Sequence, residues 1–219
     1  SWRGGDALRL DGLRISGTSD AACSFREAQG VRLNNCILSS FATSQTAPYG
    51  VYVVYSSVET EGSTITAPPG KTCFRVASDS SDYTSGASVS LSDSILSASG
   101  SGAQCVSIGS YSSVTSARYN DLFVASGATI GFTPDGSNIK IDPLFADLAN
   151  GDFHLKSSEG RWDPQAGGGA GGWVTDAQDS PCIDAADPAL SVGDEPAPNG
   201  GRRDTGAYGG TQWASKSPP

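Results

Sequence analysis

Methionine is absent from the 219 residues, and so are long apolar runs, blocks of positive charge and closely paired cysteines. Without a Met, Ser1 does not follow a retained initiator, so the chain reads as a processed or excised part of a longer precursor. No stretch approaches the roughly 18 apolar residues that a spanning helix needs. The start, SWRGGDALRL, resembles neither a signal peptide nor an anchor, which argues against membrane insertion. Lys and Arg number 14 against 23 Asp and Glu, a formal charge of −9, with the acids densest after Gly131. That balance argues against nucleic acid and against an anionic membrane surface as partners. The five cysteines, at 23, 36, 73, 105 and 182, include no CxxC pair, so a zinc site is not expected and at least one thiol is free or bridges molecules. GxSxG, HExxH, P-loop and dinucleotide Gly motifs are all missing, which removes sequence support for a nucleophilic serine, zinc or nucleotide chemistry.

What the chain does contain is one pattern written repeatedly. LRLDGLRI begins at Leu8, VRLNNCIL at Val31, VETEGSTI at Val58, VSLSDSIL at Val89, VTSARYNDLF at Val114 and IKIDPLF at Ile139. Successive starts lie 23, 27, 31, 25 and 25 residues apart, a period characteristic of a solenoid. A shorter strand precedes most copies: CSF at Cys23, VYV at Val51, FRV at Phe74, VSI at Val106 and IGF at Ile130. Apolar residues at the first and third positions with a polar one between them are the period-two mark of a half-buried strand. The fifth position is Gly12, Asn35, Gly62, Asp93, Arg118 and Pro143. Gly, Asn and Asp tolerate left-handed backbone angles, so a tight corner and a further strand are expected there, with Arg118 and Pro143 as exceptions. Strand, corner, strand, loop and strand recurring about every 25 residues predict an all-β, parallel β-helix of about six rungs. A β-sandwich is the competing architecture. Residues 1–145 form the rungs and 146–219 a closing segment or cap of the same domain.

In-register stacking sorts the outward side chains into rows. Arg9, Arg32, Glu59, Ser90, Thr115 and Lys140 form one, and Asp11, Asn34, Glu61, Ser92, Ala117 and Asp142 another. Arg9 and Arg32 are candidates for binding an acidic sugar, although Arg32 beside Glu59 also makes an ordinary cross-rung ion pair. Asp11 and Glu61, two rungs apart at roughly 9–10 Å, have the spacing of an inverting carboxyl pair. The lone His154 lies in GDFHL, where alternation points Phe153 and Leu155 inward and His154 outward, without a partner. Asp184, Asp187, Asp194 and Glu195 cluster near turn carbonyls as hard oxygen ligands that suit calcium. Cys73 and Cys105 precede equivalent strands in successive rungs and are the first candidates for a disulfide; the competing reading is a column of buried thiols packed as small hydrophobes. The glycine tract at 167–172 follows no expected strand and reads as a flexible loop.

From Ile141 to Ser215 the wording changes to DPLFADLANGDFHL, SPCIDAADP, EPAPNGGR and GAYGGT. In order and content this resembles the closing segment of secreted bacterial right-handed parallel β-helix repeat proteins, with Ala186 standing where that wording usually has Gly. The resemblance implies a right-handed coil and an extracellular or surface-attached setting, but no common activity. Trp162, Trp173, Ile183, Tyr208 and Trp213 would supply the apolar area of the cap. Polysaccharide lyases and hydrolases often use this fold, but the Gly-His-Gly pattern of polygalacturonase-like enzymes is absent. The expectation is therefore a structural or adhesive module, associating end to end into filaments through its uncapped first rung. The alternatives are a polysaccharide-active enzyme and a non-catalytic carbohydrate binder stacking sugars on Tyr52, Tyr55 and Tyr111.

Overall fold

A computed structural model describes residues 2–3, 7–17, 21–40, 49–78 and 86–218. The strands appear in sets of three. The first set is β1 (Trp2–Arg3), β2 (Arg9–Asp11) and β3 (Arg14–Gly17); the second is β4 (Ala21–Arg26), β5 (Val31–Asn34) and β6 (Ile37–Ser40). The third comprises β7 (Tyr49–Val54), β8 (Ser57–Glu61) and β9 (Thr64–Thr66), and the fourth β10 (Thr72–Ala77), β11 (Ser88–Ser92) and β12 (Ile95–Ser99). β13 (Val106–Ile108), β14 (Ser113–Arg118) and β15 (Asp121–Ala125) complete the fifth. Each member pairs in parallel with its counterpart in the next set, giving three five-stranded sheets and a parallel β-helix. Val31, Val58 and Val89 stack in register and are buried, as the repeat predicts.

The corner between the second and third sheets explains why the pattern breaks at Asn and Asp. Gly12, Asn35, Gly62 and Asp93 all have positive φ, and their N–H groups bond the rung above through Asn34, Glu61, Ser92 and Arg118 carbonyls. The next residue turns inward: the Cys36 N–H donates to Ser63 Oγ, Ser63 N–H to Ser94 Oγ, Ser94 N–H to Asn120 Oδ1 and Asn120 N–H to Asn138 Oδ1. These hydroxyls and amides are buried, so each supplies the acceptor that a corner N–H loses with the strand ladder.

Two register expectations are corrected. A bulge between Val89 and Ser90 pairs Ser90 with Ser116 and Ser92 with Arg118, leaving Thr115 as the inserted residue. Tyr119, not Arg118, consequently takes the left-handed corner. The sixth copy forms no strand: Ile139 bridges Asp121 of the third sheet and does not extend the row ending in Val114. Ile139 N–H bonds the Asn120 carbonyl, but Asp121 Oδ1 captures the Ile141 N–H and Pro143 has none to offer, so the ladder does not continue past the bridge. Thus Lys140 and Asp142 leave their expected rows. Residues around Ala128, Ile130, Phe132 and Ile139 pack against the last rung and cover its end.

The closing segment runs along the flank of the solenoid. On the third sheet both faces are buried, with Leu38, Ile65 and Leu96 in the solenoid core and Ile37 and Ile95 in a second core. That second core is completed by Phe145, Phe153, Leu155, Cys182, Ile183 and Ala207. Corner side chains hold the layer from outside: Asn35 Nδ2 donates to the Gly209 carbonyl at 2.8 Å, and Asp93 Oδ1 accepts from the Asp187 N–H at 2.6 Å. Gly206, at φ 101°, comes so near the sheet that a Cβ there would lie 2.7 Å from Ile95 Cδ1. Within the layer β16 (Phe145–Asp147) pairs antiparallel with β17 (Asp152–Leu155), and β18 (Arg161–Asp163) with β19 (Gly172–Val174). The glycine tract does follow a strand, as the turn of this second hairpin.

Candidate functional site in the cleft beside the first rung

A cleft of about 570 Å³ opens where the two hairpins of the closing segment meet the solenoid at Arg14. Polar and charged residues predominate among those lining it, including Asp147, Asn150, Asp152, His154, Arg161, Asp163, Gln165 and Tyr208, with apolar surface between them. The β16–β17 turn is shaped by Asp147, whose Oδ1 accepts the Asn150 N–H at 3.2 Å, and by Gly151 at φ 78°. Beyond that turn, strand alternation sends Phe153 and Leu155 into the second core and leaves Asp152 and His154 together on the opposite side.

Alternation placed His154 outward correctly, but the outward side is itself covered. Tyr208, from the GAYGGT turn, stacks on the imidazole with centroids 3.8 Å apart and planes 12° from parallel, and His154 is only 5% exposed. The expectation of a surface histidine without a partner is therefore corrected. Nδ1 lies 2.5 Å from Asp152 Oδ1, whereas Nε2 makes no hydrogen bond among the described residues and is not sealed from solvent, and the ring lines the cleft. With Asp152 accepting at Nδ1, a neutral ring carries its free lone pair on Nε2. Burial alone would raise the Asp152 carboxyl. The hydrogen bonds from the His154 ring and backbone, with the charges of His154 and Arg161, outweigh burial and hold it below the usual carboxylate range. Burial, reinforced by Asp152, pushes the Tyr208 phenol up to about 12, so it stays protonated.

Two cations border this dyad. Arg161 is nearly buried, 3.0 Å from Asp176 and 3.6 Å from Asp152. Arg14 donates to the Gly151 carbonyl at 2.6 Å and sits 5.8 Å from the Phe153 centroid; no carboxylate pairs with it among the described residues. The arrangement can therefore orient an imidazole, exchange a proton at Nε2 and oppose a negative group.

The residues singled out from the repeat lie elsewhere. Arg9, Asp11, Arg32 and Glu61 line a smaller hollow of about 270 Å³ on the second sheet. Arg32 makes the expected cross-rung pair with Glu59 at 3.0 Å, and Arg9 pairs with Asp11 at 2.8 Å. Hydrogen bonds from Asn34 and then Arg9 lower Asp11. Glu61 lies two rungs from Asp11, 3.7 Å from Arg203 of the closing segment. All four thus have ladder or docking partners.

The four proposed calcium ligands are not gathered into one shell, and no three His, Cys, Asp or Glu are so arranged among the described residues. Asp184 accepts from the Ser217 hydroxyl, Asp187 from the Ala189 N–H, and Glu195 Oε1 from the Asp204 and Gly210 N–H groups. Asp194 is an exposed turn residue. Asp204, which sequence reading missed, is buried beside Glu195; burial and then that carboxyl raise it well above the ordinary range. All five cysteines are free. Cys73 and Cys105 do occupy successive rungs, but their thiols face carbonyls of Ser97 and of Leu96 and Phe123. In-register strands set side chains about 4.8 Å apart and parallel, beyond the Cβ spacing of about 3.8 Å that a disulfide favours. Of the proposed sugar platforms, Tyr111 is 69% exposed, while Tyr52 and Tyr55 are half-buried and Tyr52 packs on Tyr49 and Arg26.

Fold and cleft together define a β-solenoid with a lateral layer that builds a polar site on its flank. A family model described as disaggregatase related matches residues 73–186, more than half the chain, and the chain belongs to that family. The match runs from the fourth rung into the closing segment and includes Asp152, His154 and Arg161, but neither Arg14 nor Tyr208. No curated protein and no solved structure matches the chain.

Proposed function

We propose that the chain is an extracellular module that engages polysaccharide, with the rungs as a rigid arm and the flank cleft as its binding site. One observation carries the proposal: the roughly 570 Å³ cleft is open, walled by carboxylates, amides and arginines, and backed by the stacked His154 and Tyr208 rings. A hydroxyl-rich ligand with apolar ring faces fits such a surface, whereas a purely apolar ligand does not. Trp162 contacts both Trp173 and Trp213, and those two remain 40% and 38% exposed, offering stacking surface at the β18–β19 hairpin. The family's description, disaggregatase related, suits a protein directed at the material that holds aggregates together. Calorimetric titration with acidic and neutral polysaccharides provides the test. Binding that weakens at least about tenfold in Arg14→Ala is expected, a loss of about 1.4 kcal/mol. Failure to bind any polymer, or affinity untouched by Arg14→Ala, would sink the proposal.

End-to-end association is a second reading, favoured by β2 and β3, whose outer sides pair with no further strand among the described residues and beside which Leu13 is 41% exposed. Negative-stain microscopy at high concentration would reveal filaments; discrete short rods would dismiss it.

A further inference from the structure

We infer that His154 is a general base that opens uronate-containing polysaccharide by β-elimination, with Asp152 and Tyr208 as positioning residues and Arg14 opposing the uronate carboxylate. This inference rests on the polysaccharide reading above and adds turnover to it.

The geometry meets three separate requirements. An imidazole base needs one nitrogen fixed and the other open to substrate, and Asp152 at Nδ1 leaves Nε2 without a hydrogen-bond partner among the described residues, on a ring that lines the cleft. It needs a single ring orientation, which the Tyr208 stack on one side and the β17 backbone impose. Removing a proton from carbon beside a carboxylate also requires charge neutralisation, and Arg14 is the bordering cation without an acid partner among the described residues. Arg161, committed to Asp176 and Asp152, serves the dyad instead.

The step balances without an outside reagent. Nε2 takes the proton from the carbon adjacent to the uronate carboxylate. The C–H electron pair becomes a carbon–carbon double bond as the neighbouring C–O bond to the departing sugar breaks, and the imidazolium returns the proton to that oxygen. One proton moves from carbon to oxygen, and nothing is oxidised or reduced.

The test uses the full chain with alginate, polygalacturonate and hyaluronan, following the ultraviolet absorbance of the unsaturated uronate and, separately, binding by calorimetry. Turnover of at least one polymer is expected. His154→Ala should cut it by about 100-fold or more, a larger loss than any accompanying fall in affinity, and added imidazole should restore part of the rate. Because the stacked ring also fills space, Asp152→Asn gives a second readout: kcat falls by about 100-fold with KM little changed, since the amide no longer holds the required tautomer. Binding without unsaturated product from the native chain would overturn the inference and leave the polysaccharide reading intact; absence of binding would overturn both. New reducing ends without unsaturation would replace elimination by hydrolysis, and full activity in either variant would remove His154 from the chemistry.

Discussion

In the rungs, a buried N–H group finds its partner one rung away, in a carbonyl of the parallel ladder or a corner side chain such as Ser94 or Asn120. In the closing segment, partners follow no fixed spacing and are often carboxyls. Asp204 Oδ1 takes the Asp184 N–H, Glu195 Oε1 takes the Asp204 and Gly210 N–H groups, and Asp121 of the last rung takes Ile141 N–H. One region is a repeated solution and the other a set of single ones. The difference shows how a solenoid can acquire a site: the repeat supplies a straight flank, and an irregular layer laid along it supplies inward-facing acids, an imidazole and a cleft.

The largest test strikes where the two regions join. Burial raises Asp121 to about 7, against partial relief from hydrogen bonds with Cys182 and Ile141. A carboxyl whose folded pKa lies above its unfolded value stabilises fully below the unfolded value, and that contribution is lost as pH rises through the folded one. Relative to Asp121→Asn, native stability should therefore fall by about 3 kcal/mol between pH 4 and 7 and level off above pH 8, as read by urea unfolding. Parallel pH curves for the two proteins would show that Asp121 does not titrate at this junction.

Next in size is Gly206→Ala. Its added Cβ meets Ile95 and Thr64 at 2.7 and 3.1 Å with φ at 101°, so a loss of about 3 kcal/mol is expected. Limited proteolysis should then cut within residues 145–218 before the rungs; simultaneous loss of both regions would mean that they do not differ in stability. Within the rungs, Asn120→Ala strips the buried Ser94 N–H and Leu91 carbonyl of partners and should cost about 2 kcal/mol by thermal unfolding, without selective release of the layer. Arg32→Ala is the smallest change. The Arg32–Glu59 pair is more than half exposed, and its removal should alter stability by less than about 1 kcal/mol at ordinary salt; a larger loss would make the outer row more than a solvated ladder.

The rungs were legible because the repeated wording aligns equivalent residues: Arg32 against Glu59 and Phe74 against Val106 follow from matching one copy to the next. The bulge at Val89/Ser90 was not, since nothing local distinguishes Thr115 as an inserted residue. Nor was the flank layer, although adjacent apolar pairs at Ile37–Leu38 and Ile95–Leu96 signal a strand covered on both faces. Half of the His154 site was readable in GDFHL, where Asp and His two apart share a strand face. The other half comes from Tyr208, 54 residues onward, and Arg14, 140 residues before, which only the lateral course of the closing segment brings together.

That course can be measured directly by pulsed electron paramagnetic resonance between spin labels at Leu13 and Leu148, both exposed and lying near the Arg14–Gly151 contact. Lateral docking predicts one short, narrow distance distribution, under about 20 Å for neighbouring labelled sites. A closing segment stacked only on the last rung would put the two labels farther apart by about four rung spacings, roughly 19 Å, and would contradict both the flank layer and the cleft it builds.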